Sequence, residues 1–171
     1  MRHWGESMQK EIERRFLVTG DAWRKDVANR EALFQGYLHV DDEKAIRVRL
    51  ASAGATLTIK AAISDVVRHE FEYAIPPDDA RRLLALCGSR RVEKIRCRLE
   101  YAGKIWEVDE FLGENAGLVL AEIELECEGE EFAKPPWLAL EVTGDPRYSN
   151  AALALLPFGR WRERKGLSAS S

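Results

Sequence analysis

A mainly β fold of the α+β class, built from antiparallel strands that each carry one charged and one apolar face, is what this sequence predicts. Stretches rich in strand-type residues recur along the chain, separated by short turn signals such as Asp41-Asp42, Ser52-Ala53-Gly54 and Ala102-Gly103. Within nearly every stretch, charged and apolar residues alternate with the period of two that a strand imposes. Against this background the clearest helical spacing is a single segment, Asp78 to Cys87, with Leu83, Leu84 and Cys87 recurring and Gly88 as its stop.

The first strand, Glu11 to Val18, sets the pattern, with Glu11, Glu13 and Arg15 on one face and Ile12, Phe16 and Val18 on the other. Gly20-Asp21-Ala22-Trp23 then offers a turn and an N-cap for one short helix. Ala32 to Val40, Lys44 to Ala51 and Ala55 to Ala62 read as an antiparallel meander, and Val67 to Ile75 ends at Pro76-Pro77. Asp78 is placed to cap the central helix. Arg91 to Tyr101 and Lys104 to Phe111 form a hairpin, and Leu118 to Cys127 is a further long strand. Pro135-Pro136-Trp137 breaks the pattern, and Asn150 to Leu156 reads as a short apolar helix capped by Ser149 or Asn150. Residues 1–9 are expected to be an N-terminal extension, 10–158 the folded domain and 159–171 a basic, mobile tail.

A chain of 171 residues with 46% hydrophobic content has material for one domain with a proper core. Its 26 Lys and Arg against 29 Asp and Glu leave a net charge of −3, which argues against bulk electrostatic binding of nucleic acid. Cys87, Cys97 and Cys127 form no Cys-x-x-Cys pair and have no His at metal-site spacing, so they read as reduced thiols in a cytoplasmic protein. No apolar run reaches membrane-spanning length, and no membrane partner is expected.

Parity assigns the charges to faces without knowledge of the fold. Arg47 and Arg49 share a face, as do Thr58 and Lys60, then Arg68, Glu70 and Glu72, then Lys94, Arg96, Arg98 and Glu100. Glu107 pairs in this way with Asp109, and Glu122 with Glu124 and Glu126. An ordinary half-exposed sheet accounts for any one of these strands. It accounts less well for like charges repeated roughly 7 Å apart on one face, which repel unless opposite charges lie between them. About eight strands are enough to close a barrel around that face, with the apolar sides covered near Trp23, Leu83, Trp137 and Leu153. Clustered Arg and Lys suit phosphate oxygens, and Glu-x-Glu on two strands offers oxygen ligands suited to Mg²⁺ or Mn²⁺. Together they point to metal-assisted phosphoryl transfer, with phosphate held by side chains because no Gly-x-x-x-x-Gly-Lys-Ser/Thr loop is present.

The signature Glu11-Ile12-Glu13-Arg14-Arg15 resembles the Glu-x-Glu-x-Lys of the CYTH superfamily, the triphosphate tunnel metalloenzymes. Gln35-Gly36-Tyr37-Leu38, Arg47 and Arg49, Thr58 and Lys60, Glu70-Phe71-Glu72 and Glu93-Lys94-Ile95-Arg96 stand in that family's order. So do Glu107-Val108-Asp109, Glu122-Ile123-Glu124 and Glu141-Val142-Thr143 with Tyr148 and Asn150. The likeness is greatest to the short bacterial members with inorganic triphosphatase activity. It implies an eight-stranded antiparallel tunnel with a charged interior and helices packed outside. It also implies Mg²⁺- or Mn²⁺-dependent hydrolysis of a small-molecule triphosphate, inorganic tripolyphosphate first. Glu11, Glu13, Glu122 and Glu124 would surround the metal, and Arg47, Arg49, Lys60, Lys94 and Arg96 would grip phosphate. Glu72, Glu107 and Asp109 would support those cations or the metal, and the catalytic candidates are Arg15 and Tyr37, which would reach the tunnel. A homodimer is the one assembly considered.

Arg15 departs from the family lysine, and an arginine does not give up its proton at any working pH. Arg15 could orient water or phosphate but could not act as a base. Two alternatives follow: a class IV adenylate cyclase on the same fold, and a polyphosphate-binding module that lost turnover through Arg15.

Overall fold

The computed structural model describes residues 12–62, 68–127 and 129–162, so Glu11 lies outside the described residues. Among the described residues there are nine strands: β1 (Ile12–Val18), β2 (Val27–Val40), β3 (Lys44–Ala51), β4 (Gly54–Ala62), β5 (Arg68–Ile75), β6 (Arg91–Tyr101), β7 (Lys104–Phe111), β8 (Val119–Leu125) and β9 (Leu138–Glu141). The helices are α1 (Pro77–Leu86), α2 (Asn150–Leu155) and α3 (Phe158–Arg162), with a 3₁₀ turn at Ala22–Asp26. The strands form one sheet in the order β5-β4-β3-β2-β6-β7-β8-β1-β9, with antiparallel pairing throughout.

Local chemistry explains most boundaries. Ala102 and Gly103 both take positive φ, 50° and 78°, the backbone a two-residue hairpin with right-handed twist requires. Pro77 opens α1 and Asp78 and Asp79 occupy its first turn; Asp78 is thus inside the helix, where it favours the positive end of the dipole, and does not cap it. Gly88, at φ 60°, turns the chain away. α2 is capped by Ser149, whose Oγ accepts from Ala152 N at 3.1 Å.

The outer face of the sheet is apolar. Phe16, Leu99, Trp106, Val108 and Ile123 bury against Trp23 and Trp137, with Trp106 set edge-on to Phe16 and Trp137 at centroid distances of 5.9 and 5.7 Å. α1 covers the other end of this face, packing on Val48, Leu50, Ala55 and Leu57. Helix and sheet meet at Gly36. A Cβ there would lie 2.7 Å from Cys87 Sγ and 3.1 Å from Leu84 Cδ2, so only a residue without a side chain lets α1 approach β2.

The charged face is concave. β2 and β1 are four strands apart, about 19 Å across a flat sheet. Yet the Tyr37 hydroxyl on β2 lies within electrostatic reach of Arg15 on β1. The antiparallel, mainly β architecture is as expected, with one strand more than eight, and among the described residues the edges β5 and β9 do not pair. The result is a trough rather than a closed ring. Nor are all helices outside. At one end the concave positions are themselves apolar (Tyr37, Val92, Phe111, Leu120), and α2 covers them from within, burying Leu153 and Ala154. α3 follows, and Trp161 packs edge-on to Tyr148 at 5.3 Å, so the first residues of the expected basic tail are part of this plug.

Gly36→Ala is expected to destabilise the protein by about 1–3 kcal/mol through overpacking against α1. Equilibrium urea unfolding of the variant and the parent checks this, and unchanged stability would show that α1 yields freely.

Candidate functional site

Register brings the charged residues of seven strands onto the concave face. Arg15 stands opposite Glu122, and Glu13 opposite Glu124, between β1 and β8. Glu122 faces Glu107 on β7, Arg96 on β6 faces Asp109, and Arg47 on β3 stands between Tyr37 of β2 and Thr58 of β4.

Asp109 is the anchor of one wall and is 1% exposed. Its Oδ1 accepts from Arg96 Nε at 2.7 Å, and its Oδ2 from Lys94 Nζ at 2.6 Å and Arg96 Nη2 at 2.7 Å. Burial alone would raise its pKa, but the Lys94 ammonium and the Arg96 fork outweigh that and hold the carboxyl well below the usual carboxylate range. Lys94 is buried as completely, and desolvation pushes its ammonium down against the pull of Asp109. Its other hydrogen bond is donated to Asn150 Oδ1 of α2 at 3.0 Å. Arg96 also pairs with Glu107, and with Glu122 Oε2 at 3.2 Å.

From Glu122 the network continues to the first strand. Glu122 Oε1 accepts from Arg15 Nε at 2.7 Å, and Arg15 reaches Glu13 Oε1 at 2.5 Å and the Tyr148 carbonyl at 3.3 Å. Arg15 is therefore enclosed by two carboxylates and a backbone oxygen. Glu124 is exposed beside Glu13 on the same face. Glu13, Glu122 and Glu124 make an all-oxygen donor set on two paired strands, which suits a hard divalent cation in kind. Among the described residues, no three acidic, His or Cys side chains converge at ligand distance, because the guanidinium of Arg15 already bridges Glu13 and Glu122.

The opposite wall, on β2, β3 and β4, is paired differently. Arg47 Nη2 donates to Thr58 Oγ1 at 3.2 Å, Thr58 donates onward to Glu72 Oε2 at 3.0 Å, and the direct Arg47–Glu72 separation is 3.8 Å. The one hydrogen bond of the Arg49 side chain among the described residues runs from Nε to Gln35 Oε1 at 3.4 Å. Burial, with Arg47 and Arg96 nearby, pushes that guanidinium down to about 10, still charged at neutral pH. Lys60 pairs with Glu70 at 2.8 Å. Burial pushes the Tyr37 hydroxyl up, partly offset by Arg47, Arg49 and Arg15.

Every described residue that the sequence assigns to the catalytic, phosphate, metal or supporting set thus falls, by strand parity, on the concave face. They divide between a wall where cations are matched by acids (Lys94, Arg96, Arg15 with Asp109, Glu107, Glu122, Glu13) and one where Arg47 and Arg49 are not matched in this way. Gln35, Thr58, Tyr148 and Asn150 stand within the family-like motifs of the sequence, which by themselves give these four no role. Each proves to contact a charged residue of the site. The available signal was parity, since Gln35 and Thr58 fall on the charged face of their strands.

A family model described as the CYTH domain matches residues 9–151. The chain belongs to the CYTH domain family. An inorganic triphosphatase of Acetivibrio thermocellus is 46% identical over 157 residues, spanning 91% of this chain and 100% of that protein. An inorganic triphosphatase of Nitrosomonas europaea is 36% identical over 154 residues, 85% of this chain and 97% of its own. The crystal structure of the inorganic triphosphatase NE1496 superposes with a TM-score of 0.68 at 35% identity, covering 85% of this chain and 94% of that one.

Asp109→Asn would leave Lys94 buried without its counter-charge and Arg96 with Glu107 and Glu122 alone, and is expected to cost about 3–5 kcal/mol of stability at pH 7. Because the folded carboxyl titrates below its unfolded value of 3.8, its contribution is fully present above about pH 5 and is lost as pH falls through and below that value. Denaturant titrations of both proteins between pH 7 and pH 3 check this: the parent should lose more stability across that range than the variant.

Proposed function

We propose that this protein hydrolyses a small triphosphate, inorganic tripolyphosphate first, in the charged trough with Mg²⁺ or Mn²⁺ bound. The observation that carries this reading is the division of the concave face into an acid-matched wall and a cationic wall. A polyanion needs cations that are not closely neutralised, and Arg49, with no acidic partner among the described residues, and Arg47, whose carboxylate Glu72 stands back at 3.8 Å, supply them. The activity named for relatives at 46% and 36% identity supports hydrolysis over cyclisation.

In this reading Arg47, Arg49 and Lys60 grip phosphate oxygens, with Lys94 and Arg96 adding positive charge from the facing wall. Glu72, Glu107 and Asp109 hold those cations in position. Family membership implies a divalent metal ion, and Glu13, Glu122 and Glu124, with Glu11, are the residues that would hold it. The bound ion supplies charge neutralisation to the phosphate oxygens. Tyr37 stands opposite Arg47 in register and its hydroxyl interacts with that guanidinium, which places it beside the phosphate grip. Arg15 remains cationic throughout, so it orients a water or a phosphate oxygen by donation and takes no proton from it.

Phosphate release from tripolyphosphate, ATP and thiamine triphosphate, each with Mg²⁺, with Mn²⁺ and with chelator, tests the proposal. Metal-dependent release, fastest from tripolyphosphate, is expected; no release from any of the three overturns it. If Arg15 limits the rate because it cannot shuttle a proton, Arg15→Lys should raise kcat by about tenfold or more with little change in KM. An unchanged or lower kcat assigns Arg15 to binding and orientation.

A further inference from the structure

Four buried side-chain polar atoms among the described residues have no hydrogen-bond partner: Gln35 Nε2, Arg47 Nε, Thr56 Oγ1 and Trp106 Nε1. Orphaned buried groups are costly and call for an explanation. Trp106 belongs to the outer core. The other three lie on the adjacent strands β2, β3 and β4 of the cationic wall. Gln35 and Thr56 stand in one register row on either side of Arg49, and Arg47 occupies the next row on the same face.

Gln35 is the informative member. It is a polar side chain only 1% exposed. Its Oε1 accepts from Arg49 Nε, which fixes the orientation of the amide, since turning it over would set an NH₂ against a guanidinium donor. The two N–H groups of Nε2 are therefore the unsatisfied edge. They sit beside Arg47 and Arg49, where an anion is the natural acceptor. A neutral donor suits this position. It adds a hydrogen bond without a third positive charge next to an arginine already pushed down to about 10 by burial and by its cationic neighbours.

We propose that Gln35 is a substrate-binding residue whose Nε2, with the Thr56 hydroxyl and Arg47 Nε, receives an oxygen of one phosphate group of the bound triphosphate. This rests on the triphosphate reading of the trough and extends it to uncharged donors. It separates cleanly from a structural role, because replacement by glutamate moves the two in opposite directions. A carboxylate at position 35 would pair with Arg49 in the free protein but repel phosphate.

The test is calorimetric titration of the full chain with sodium tripolyphosphate in chelator, alongside melting of the ligand-free proteins and KM and kcat with metal. Gln35→Leu is expected to weaken binding about tenfold or more, the scale of one hydrogen bond to a charged group, and to raise KM more than it lowers kcat. Gln35→Glu should bind more weakly still while melting no lower than the parent. Thr56→Val should give a smaller loss, and it keeps the test open if Gln35→Leu does not fold. Parent-like affinity in Gln35→Leu and Gln35→Glu overturns this inference and leaves the triphosphatase reading intact. If the parent neither binds nor hydrolyses tripolyphosphate, the triphosphatase reading fails and this inference with it.

Discussion

The site depends on one constraint: a cation withdrawn from water must be matched in fixed geometry, or its strand cannot be placed where it is. Asp109 meets that constraint for both buried cations of β6, with three short contacts from Lys94 and Arg96. Arg96, once fixed, positions Glu122; Glu122 positions Arg15; Arg15 positions Glu13. Charges alternate in sign along this path from β6 across to β1. The like-charge repetition within each strand is relieved where Arg96 lies against Asp109 and Arg15 against Glu122, and these cations also stand between the facing acids Glu107 and Glu122, and Glu122 and Glu13.

The second wall is not relieved in the same way. Arg47 and Arg49 are steadied by a threonine hydroxyl and a glutamine carbonyl, with Glu72 held at 3.8 Å. Uncharged partners orient a guanidinium without cancelling its charge, so the field across the trough runs from a cationic side to an acid-matched one. A polyanion and a cation entering together would each find a side of suitable sign. The plug of α2 and α3 beneath reinforces this by keeping water from one end, where Phe111 also lies 5.3 Å from the Lys94 ammonium.

Much of this was legible in the chain because the charges alternate so strictly. Parity alone grouped Glu13 with Arg15, Arg47 with Arg49 and Glu122 with Glu124, and those groupings follow from a period of two whatever the neighbouring strand. What parity does not encode is which strand lies beside which. That Arg96 would meet Asp109 and Glu122, and so be largely neutralised, depends on the order β6-β7-β8. The start of β2 is not legible in sequence because Val27-Ala28-Asn29-Arg30-Glu31 lacks apolar alternation, nor is β9, because four residues after a Pro-Pro pair carry little pattern. α2 was recognisable as apolar, but composition does not say which side of a sheet a helix will cover.

The placement of β1 has a consequence for how the molecule is made. It lies between β8 and β9, and its Arg15 pairs with a residue 107 positions later in the chain. During synthesis β1 emerges before both of those strands and stays without a sheet partner until β8 has been translated, while the meander of β2 to β5 assembles from neighbours. Contacts so distant in sequence close late and slowly. An amphipathic strand waiting in the open is exposed to the wrong partners, and the alternating glutamates and arginines of β1 also make it a poor template for aggregation.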